Sequence, residues 1–291
     1  MNPTASDPPR PAGPPSMPRE ALAGAERYTV PLLERINRSR HLKRALHAVI
    51  GRADSWFIAF ITGRLWRVRG LDRLAGLDKA RGVILVANHR SFFDMYICLS
   101  MLHVRTGLVK RCFFPVRSGF FYDRWLGALL NLAISGGSMW PPVFREAERR
   151  PLNRIGLDQL AAVLEPGAFV GIHPEGRRGT GDDPYTLLPA RNGVGRLALA
   201  CHPDTVVQPY FILGLSNSFR REVGRNFRRR ARQGEPVRMR FGDPIRVADL
   251  HALGDADAIT AHIMERIAAL GAEDRAEQAE QAERRAAAEA R

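Results

Sequence analysis

The uninterrupted apolar run VILVA at residues 83–87 constrains the fold most, because a strand of this composition must be buried on both faces. Similar runs lie further along the chain, and segments with helical periodicity separate them. The predicted strands are 83–87, 169–172, 205–213 and 237–241, and the predicted helices are 93–102, 152–164 and 192–201. Strands that alternate with helices predict an α/β domain with a mainly parallel central sheet flanked by helices.

Two polar segments directly follow predicted strands. NHRSFFD occupies residues 88–94 after the first strand, and HPEGRRG occupies residues 173–179 after the second. Parallel strands place their carboxyl ends at one edge of a sheet, and ligands bind at that edge. Both segments are therefore candidates for a functional site. His173, which opens the second segment, is either a second acid or base or a hydrogen-bonded histidine of the turn.

In the first segment, His89 precedes Asp94 by five residues. Their side chains meet only if His89 lies on the turn after the strand and Asp94 lies in the first turn of the helix, with Ser91 as the predicted helix cap. In that geometry the carboxylate orients the imidazole and leaves its other nitrogen as a general base. No activated nucleophile is evident, so this base suits direct transfer to a bound alcohol. Alternatively, Asp94 only caps the helix and His89 only fills a turn.

The second segment offers one carboxylate, one glycine and two adjacent guanidinium groups, in Glu175, Gly176, Arg177 and Arg178. Arginine pairs suit phosphate oxygens, and a glycine lets the backbone approach a ligand. Arg191 adds positive charge at the start of a predicted helix. The alternative is a solvated surface loop in which Glu175 pairs with an arginine.

The two ends of the chain differ in composition from its middle. Seven prolines among the first 19 residues predict a disordered Pro-rich tail over 1–25. Residues 26–66 predict an N-terminal amphipathic helical segment that associates with a membrane surface or, equally well, covers the domain core. The domain itself is predicted over 67–270, followed by a charged, alanine-rich tail over 271–291. The longest uncharged N-terminal stretch is too short to span a membrane.

The net charge of +14 indicates an anionic partner, such as a membrane surface, a phosphorylated substrate or nucleic acid. The three cysteines lie far apart among apolar or small neighbours, which favours reduced thiols and a cytosolic compartment. No histidine pairs with another histidine or with a cysteine at the spacing of metal ligands, so we predict no metal site.

Taken together, these segments resemble the motifs of the glycerolipid acyltransferase family, whose best-known members are the lysophosphatidic acid acyltransferases. The first motif is a histidine and an aspartate after an asparagine, and the third is proline-glutamate-glycine-threonine-arginine, with Arg177 here in the place of the threonine. The second motif ends in an arginine, for which PPVFR has the more natural spacing, and the fourth is a proline in an apolar strand. The matching residues are Asn88, His89, Asp94, Arg145, Pro174, Glu175, Gly176, Arg178, Arg191, Gly193 and Pro209.

The resemblance implies transfer of a fatty acyl group from acyl-CoA or acyl carrier protein to the hydroxyl of a lysophospholipid, foremost 1-acylglycerol-3-phosphate, to give phosphatidic acid. His89 would be the catalytic base and Asp94 would orient it, without an acyl-enzyme. The implied substrate-binding residues are Arg145, Glu175, Gly176, Arg177, Arg178, Arg191 and Pro209. No cofactor is implied beyond the acyl thioester co-substrate, and the protein would lie on the cytoplasmic face of the cell membrane, peripheral or monotopic.

Three alternatives remain open. The same fold and reaction could serve a lyso-ornithine lipid, another lysophospholipid or a glycolipid as acceptor. The protein could also bind lipid without catalysis. Finally, the arginine-rich stretch at 220–232 could track the phosphates of nucleic acid, but no recognisable nucleic-acid motif accompanies it, so we expect no nucleic-acid partner.

Overall fold

The computed structural model describes residues 15–229 and 234–289. The strands in these residues are β1 Trp66–Arg69, β2 Val83–Ala87, β3 Arg111–Phe113, β4 Val116–Arg117, β5 Pro142–Val143, β6 Ala168–Ile172, β7 Val206–Leu213, β8 Val237–Phe241 and β9 Ile245–Arg246. Seven of them form the central sheet in the order β1-β8-β7-β2-β6-β3, with β9 also paired to β7. The strands β4 and β5 pair separately.

Parallel pairing dominates the central sheet. β2 runs parallel to both of its neighbours, β6 and β7, and β3 runs parallel to β6 as β1 does to β8. β7 is antiparallel to β8 and to β9. The predicted α/β fold with a mainly parallel central sheet is therefore confirmed.

Helices pack on both faces of this sheet. They are α1 Glu26–Arg38, α2 Arg40–Leu46, α3 Arg52–Thr62, α4 Asp94–Thr106, α5 Ser118–Phe121, α6 Trp125–Ser135, α7 Leu152–Val163, α8 Gly193–Ala200, α9 Phe219–Asn226, α10 Val247–His251 and α11 Ala256–Glu289. A π-helical segment, His47–Gly51, joins α2 to α3. Each predicted strand and helix is present, although α4 continues for one further turn until Gly107, whose left-handed backbone (φ +65°) ends it.

Side chains of β2 alternate between two hydrophobic cores. Ile84 and Val86 pack in one core with residues of α7, α8 and α11. Val83, Leu85 and Ala87 pack in the other with residues of α3 and α4. Every residue of β2 is buried, which explains why its sequence is apolar throughout rather than alternating.

Packing begins earlier in the chain than the composition indicates. The first 14 residues of the predicted Pro-rich tail lie outside the described residues. Within residues 15–25, however, Met17 and Leu22 are buried in the core beside α7 and α8. The predicted boundary at residue 26 is therefore too late, because two apolar side chains anchor a proline-rich segment that composition alone marks as unstructured.

The other predicted boundary, after residue 270, falls inside the continuous helix α11. Asp274 is buried there, and its Oδ2 accepts hydrogen bonds from Arg238 Nε (2.9 Å) and Tyr185 Oη (2.8 Å). One helical turn further, Glu277 pairs with Arg69 on β1 at 2.6 Å. The boundary is too early, because ion pairs to the sheet hold the charged part of the helix against the domain. Residues 290–291 lie outside the described residues.

Apart from Ser39, residues 26–62 are helical, in α1, α2, the π-helical segment and α3. The helix α1 buries Val30 and Leu33, and Thr29 Oγ1 donates to the carbonyl of Tyr122 (2.7 Å). The helix α3 buries Ile58 and Ile61 but exposes large side chains, described below. Within the described residues, none of the helices combines the length and apolarity required to cross a membrane. Association of these helices with a membrane surface stays a prediction.

Candidate active site

Asn88 extends the pairing of β2 beyond its last residue. Its side-chain amide donates to the carbonyl of Ile212 (2.9 Å), and its Oδ1 accepts from the Ile212 amide (2.8 Å). The Asn88 side chain thus makes the hydrogen bonds to β7 that its backbone would otherwise make, so the Asn88 backbone can begin to turn. His89 consequently leaves the sheet at its carboxyl edge, where the sequence predicts a site.

His89 and Asp94 meet as predicted, across the turn between β2 and α4. The distance from His89 Nδ1 to Asp94 Oδ2 is 3.2 Å. The same carboxylate oxygen accepts from the backbone amides of Arg90 and Ser91, each at 2.7 Å. Asp94 therefore secures the turn and orients the imidazole at once. No described residue bonds the Nε2 atom of His89, and this side chain is 21% exposed, so the second nitrogen is open to a ligand.

Ser91 does not cap α4 through the expected position. The helix begins at Asp94, and the flanking residue Phe93 makes no side-chain cap. Instead, Ser91 Oγ accepts from the Phe93 amide (3.2 Å) and donates to the carbonyl of Ser216 (2.7 Å). The predicted Ser91 cap is wrong because the carboxylate of Asp94 already satisfies the amides of the turn, which leaves the hydroxyl to tie this turn to the loop after β7.

The electrostatics of the pair favour a neutral imidazole beside a carboxylate. Burial, followed by the positive charges of Arg178 and Arg145, lowers the pKa of His89 to about 4. Burial raises the pKa of Asp94 to about 6, although hydrogen bonds from the turn amides oppose that shift. At neutral pH the pair is therefore His neutral and Asp ionised, the state in which a histidine can accept a proton.

His173 lies against His89, which sequence spacing did not indicate. The two imidazole rings stack with their centroids 4.1 Å apart and their planes 9° from parallel. His173 Nδ1 donates to the carbonyl of Ala87 (3.1 Å), so the expected hydrogen-bonded turn histidine is present, and burial lowers its pKa to about 4. Its Nε2 is buried without a hydrogen-bond partner among the described residues. Potential metal-ligand atoms of His89, Asp94 and His173 lie within 4.8 Å of one another.

Glu175 holds the two polar segments together. Its Oε1 accepts from the His89 amide and its Oε2 from the Leu188 amide, both at 2.7 Å, and the residue is 2% exposed. Burial raises its pKa, against the effect of these two hydrogen bonds. The alternative of a solvated loop in which Glu175 pairs with an arginine is wrong, because backbone amides occupy both carboxylate oxygens.

Arginines from three segments surround Gly176. Its left-handed backbone (φ +64°) brings it so close to Arg191 that an added Cβ would lie 3.2 Å from that side chain. Arg145 Nη2 approaches the Gly176 carbonyl at 3.5 Å, and Arg178 Nη1 donates to Asn217 Oδ1 (2.7 Å). Arg177 is exposed beside them. The structure thus brings the predicted arginines into one positively charged rim next to His89.

Pro209 lies inside the sheet rather than on this rim. It is buried on β7 and pairs with Val86 of β2, which precedes His89 by three residues. Its carbonyl accepts from the Gly242 amide (3.0 Å), so the position of its missing N–H falls in the gap between β8 and β9. A proline is tolerated there because the ladder is already interrupted.

The loop after β7 also belongs to the site, and sequence reasoning missed it. Asn217 Oδ1 accepts from the Phe92 amide (2.9 Å) as well as from Arg178. Arg90 Nη2 donates to the Gly181 carbonyl (2.9 Å) and thereby holds the end of the second polar segment. The signal was available, because the segment GLSNS at 214–218 is a third polar run directly after a predicted strand.

This fold, with a histidine and aspartate at the carboxyl edge of a parallel sheet and arginines beside them, is the architecture that the sequence motifs imply. The profile of the Acyltransferase family matches residues 65–213. The chain therefore belongs to the glycerolipid acyltransferase family and is an acyltransferase. No curated protein matches it.

Proposed function

We propose that this protein transfers a fatty acyl group from an acyl thioester, acyl-CoA or acyl carrier protein, to the free hydroxyl of a lysophospholipid. The acceptor that fits best is 1-acylglycerol-3-phosphate, which would become phosphatidic acid. The observation that carries the proposal is the His89–Asp94 pair, whose unbonded Nε2 lies beside a rim of arginines.

In the proposed reaction, Nε2 of His89 takes the proton of the acceptor hydroxyl while the hydroxyl oxygen attacks the thioester carbonyl. The ionised Asp94 stabilises the resulting imidazolium through Nδ1. Collapse of the tetrahedral intermediate forms the ester and breaks the carbon–sulfur bond, and the leaving thiolate takes the proton from His89. The histidine returns to its neutral state without a cofactor and without an acyl-enzyme.

Direct transfer agrees with the environment of the cysteines. Cys98, Cys112 and Cys201 are all buried, and burial raises the pKa of each thiol. A buried thiol that resists ionisation is a poor nucleophile. Ser91, the serine of the turn after β2, donates its hydroxyl proton to the Ser216 carbonyl.

The arginine rim supports an acceptor with a phosphate head group. Arg145 and Arg191 approach Gly176, Arg178 donates to the neighbouring Asn217, and Arg177 adds a fourth guanidinium. The buried carboxylate of Glu175 accepts from backbone amides through both oxygens, so it forms no ion pair with these arginines. Guanidinium groups bind phosphate in two-point contacts, which fits a phosphomonoester better than a neutral or cationic head group.

Exposed apolar side chains support a membrane surface as the partner. On α3 and the segment before it, Val49, Trp56, Phe57 and Phe60 are each more than half exposed. Further exposed apolar residues lie on α6, on the turn after β2 and at the two ends of α9: Phe92, Trp125, Leu126, Leu129, Phe219 and Phe227. A patch of this kind beside arginines binds an anionic bilayer interface and would admit a lipid acceptor laterally, with the protein peripheral or monotopic on the cytoplasmic face.

The reaction is tested with purified protein, labelled palmitoyl-CoA or palmitoyl-acyl carrier protein, and a panel of acceptors. The panel contains 1-acylglycerol-3-phosphate, lysophospholipids with larger head groups, lyso-ornithine lipid and a glycolipid, and mass spectrometry identifies the products. We expect phosphatidic acid as the main product of the wild type and at most traces of it with His89→Ala. Preferred acylation of another acceptor would replace the proposed substrate, and no product from any combination would refute the transfer itself.

Membrane contact is tested by flotation with anionic vesicles. Trp56→Glu with Phe60→Glu should weaken vesicle binding by at least about tenfold, because each side chain loses roughly 1.5 kcal/mol or more of apolar burial. The control, Leu199→Glu with Leu253→Glu, changes two exposed apolar residues outside this patch and should bind like the wild type. Equal flotation of both variants would contradict the assignment.

A further inference from the structure

A cavity opens beside the candidate active site, between the loop after β7, the helix α9 and the start of β8. Its volume is about 960 Å³. Five arginines line it, from the catalytic turn and from the arginine-rich stretch at 220–232, of which the structure describes residues up to 229: Arg90, Arg220, Arg221, Arg225 and Arg228. We call it the arginine groove.

Among the described residues that line the arginine groove, arginines outnumber carboxylates. The carboxylate among its described lining residues is Glu235, and this side chain already pairs with Arg238 at 2.7 Å. Arg225 is buried and fixed, because its Nη1 donates to Glu222 Oε2 (2.7 Å) and to the Gly214 carbonyl (3.0 Å). The groove therefore has a rigid wall and an excess of positive charge.

Two of its arginines are available to a ligand. Arg220 and Arg221 are exposed on the first turn of α9, and neither side chain has a hydrogen bond or ion pair within the part of the chain that the structure describes. Adjacent, unpaired guanidinium groups at the side of a groove suit phosphate oxygens.

Hydrogen bonds join the arginine groove to the catalytic turn. Gly179, which lines the groove, donates its amide to the His89 carbonyl (2.8 Å), and the next residue after His89, Arg90, lines the groove as well. On the other side, Ser91 Oγ donates to the carbonyl of Ser216 (2.7 Å), another lining residue. A ligand in the groove therefore borders the residues that hold the catalytic imidazole.

We propose that the arginine groove binds the 3′-phospho-ADP part of CoA, so that the pantetheine arm runs past Gly179 and presents the thioester to His89. This inference rests on the proposed acyl transfer and selects acyl-CoA as its donor. The nucleotide carries a diphosphate and a phosphomonoester, which match several arginines, and the groove volume is in the range of small-molecule and cofactor sites. The arginine rim around Gly176 is left for the acceptor phosphate.

The charge of the groove is tested with Arg220→Glu combined with Arg221→Glu. The matched control is Arg196→Glu combined with Arg266→Glu, two exposed arginines on α8 and α11 that lie outside the groove and the rim. The measured quantity is the ratio of KM for palmitoyl-CoA to KM for palmitoyl-N-acetylcysteamine, a thioester without the nucleotide. We expect this ratio to rise at least about tenfold in the groove variant, because two charge-assisted contacts are lost, and to keep the wild-type value in the control.

The space in the groove is tested with Gly224→Trp. Gly224 lines the groove on α9, and an added Cβ would meet no atom within 4 Å, so a large side chain can extend into the cavity without disturbing the helix. We expect Gly224→Trp to raise the same KM ratio and Gly224→Ala to raise it much less. An equal effect of both substitutions, or none, would contradict a ligand in this space.

Binding measured without turnover separates this inference from the proposed function. Titration calorimetry with CoA and with 3′,5′-ADP should detect binding to the wild type and to the control, and its loss in Arg220→Glu with Arg221→Glu. If no acyl transfer occurs with any donor, this binding result still decides the assignment of the groove. No binding by the wild type, an equal rise of KM for both thioesters, or a defect confined to palmitoyl-acyl carrier protein would overturn it.

Discussion

Two polar clusters in this protein each contain a histidine with a strongly lowered pKa. The clusters differ in their access to solvent and in the groups to which their side chains are hydrogen-bonded. The open cluster lies at the carboxyl edge of the sheet: His89, Asp94, His173 and Glu175. The sealed cluster lies under α2 and the π-helical segment: Lys43, His47, Cys112 and Ser138. The pKa values of His89 and His47 are both lowered to about 4, first by burial and then by nearby positive charge.

The sealed cluster satisfies its own polar atoms. Lys43 Nζ donates to the Gly136 carbonyl and to Ser138 Oγ, both at 3.0 Å, and burial lowers its pKa to about 8. Cys112 Sγ donates to Ser138 Oγ (3.3 Å), and His47 Nε2 donates to a backbone carbonyl. The cavity beside these groups measures about 20 Å³, enough for one water molecule at most.

In the open cluster, the carboxylates instead accept hydrogen bonds from backbone amides. Glu175 and Asp94 hold the turn after β2, and no residue that the structure describes bonds the partly exposed Nε2 of His89. A shifted pKa therefore does not by itself identify an active site, because burial lowers the pKa of both histidines. An unbonded atom with access to a ligand distinguishes the two clusters.

The largest effect is expected for Asp94→Asn in the open cluster. An amide can still accept a hydrogen bond from one turn amide, but it cannot stabilise an imidazolium and it can hold His89 in the wrong tautomer. We expect kcat to fall by about 10³–10⁴-fold, as for other histidine–aspartate pairs, with the far-ultraviolet spectrum retained. Retention of more than a tenth of the wild-type kcat would mean that Asp94 serves only the turn.

In the sealed cluster, Lys43→Ala should change stability instead of chemistry. The substitution leaves a cavity and removes the donor to Gly136 and Ser138, so the free energy of unfolding in urea should fall by roughly 2–4 kcal/mol. The rate per folded molecule should be retained. The exposed lysine Lys79 is the matched control, and Lys79→Ala should stay within about 0.5 kcal/mol of the wild type. A fall in kcat without a fall in stability would mean that the sealed cluster takes part in the chemistry.

The pH profile of kcat/KM sharpens the assignment of His89. In the proposed mechanism His89 acts only when neutral and Asp94 only when ionised. We therefore expect kcat/KM to fall as the pH drops through the interval from about 6 to about 4, below the ordinary 6.5 of histidine. Arg178→Gln removes a positive charge that lowers the pKa of His89, and its acidic limb should move to higher pH by less than about one unit. A wild-type midpoint at or above 6.5 would contradict the buried environment of this histidine.

The smallest effect is expected for His173. Stacked aromatic pairs contribute about 0.5–1.5 kcal/mol, so His173→Ala should lower kcat by roughly two- to tenfold through looser positioning of His89. His173→Phe keeps a flat ring on that imidazole and should retain more activity than the alanine variant. If both substitutions lower kcat by more than about a hundredfold, His173 takes part in proton transfer and the two histidines share the chemistry.

Much of the fold was predictable because the inner strands are buried on both faces. The short outer strands β1 and β3 were missed, since four residues with two arginines and three residues with one give no apolar run. The helix α6 was missed as well. Its sequence WLGALLNLAIS is apolar on all sides, so periodicity cannot distinguish its buried face from its exposed one.

For the site, sequence order indicated which segments follow strands but not which strands are neighbours. The stacking of His173 on His89 depends on the register between β2 and β6, in which Val86 lies opposite Ile172. The burial of Glu175 under the turn depends on the same pairing, so its bond to the His89 amide could not be read from the motif. For Pro209, the order of the motifs predicted a ligand-binding residue, but the structure places this residue within the sheet.

A matched pair of substitutions, His89→Ala and His47→Ala, separates the role of the open cluster from that of the sealed cluster, with acyl-transfer rate and thermal stability measured on the same samples. We expect His89→Ala to lower the rate by about 10³–10⁴-fold, as Asp94→Asn does, and to keep the melting temperature. We expect His47→Ala to keep the rate and to lower stability by roughly 1–3 kcal/mol, because a buried ring is replaced by a cavity and the Val109 carbonyl keeps only His103 of its two histidine partners. An active His89→Ala protein, or a His47→Ala protein that is stable and inactive, would contradict this assignment of roles.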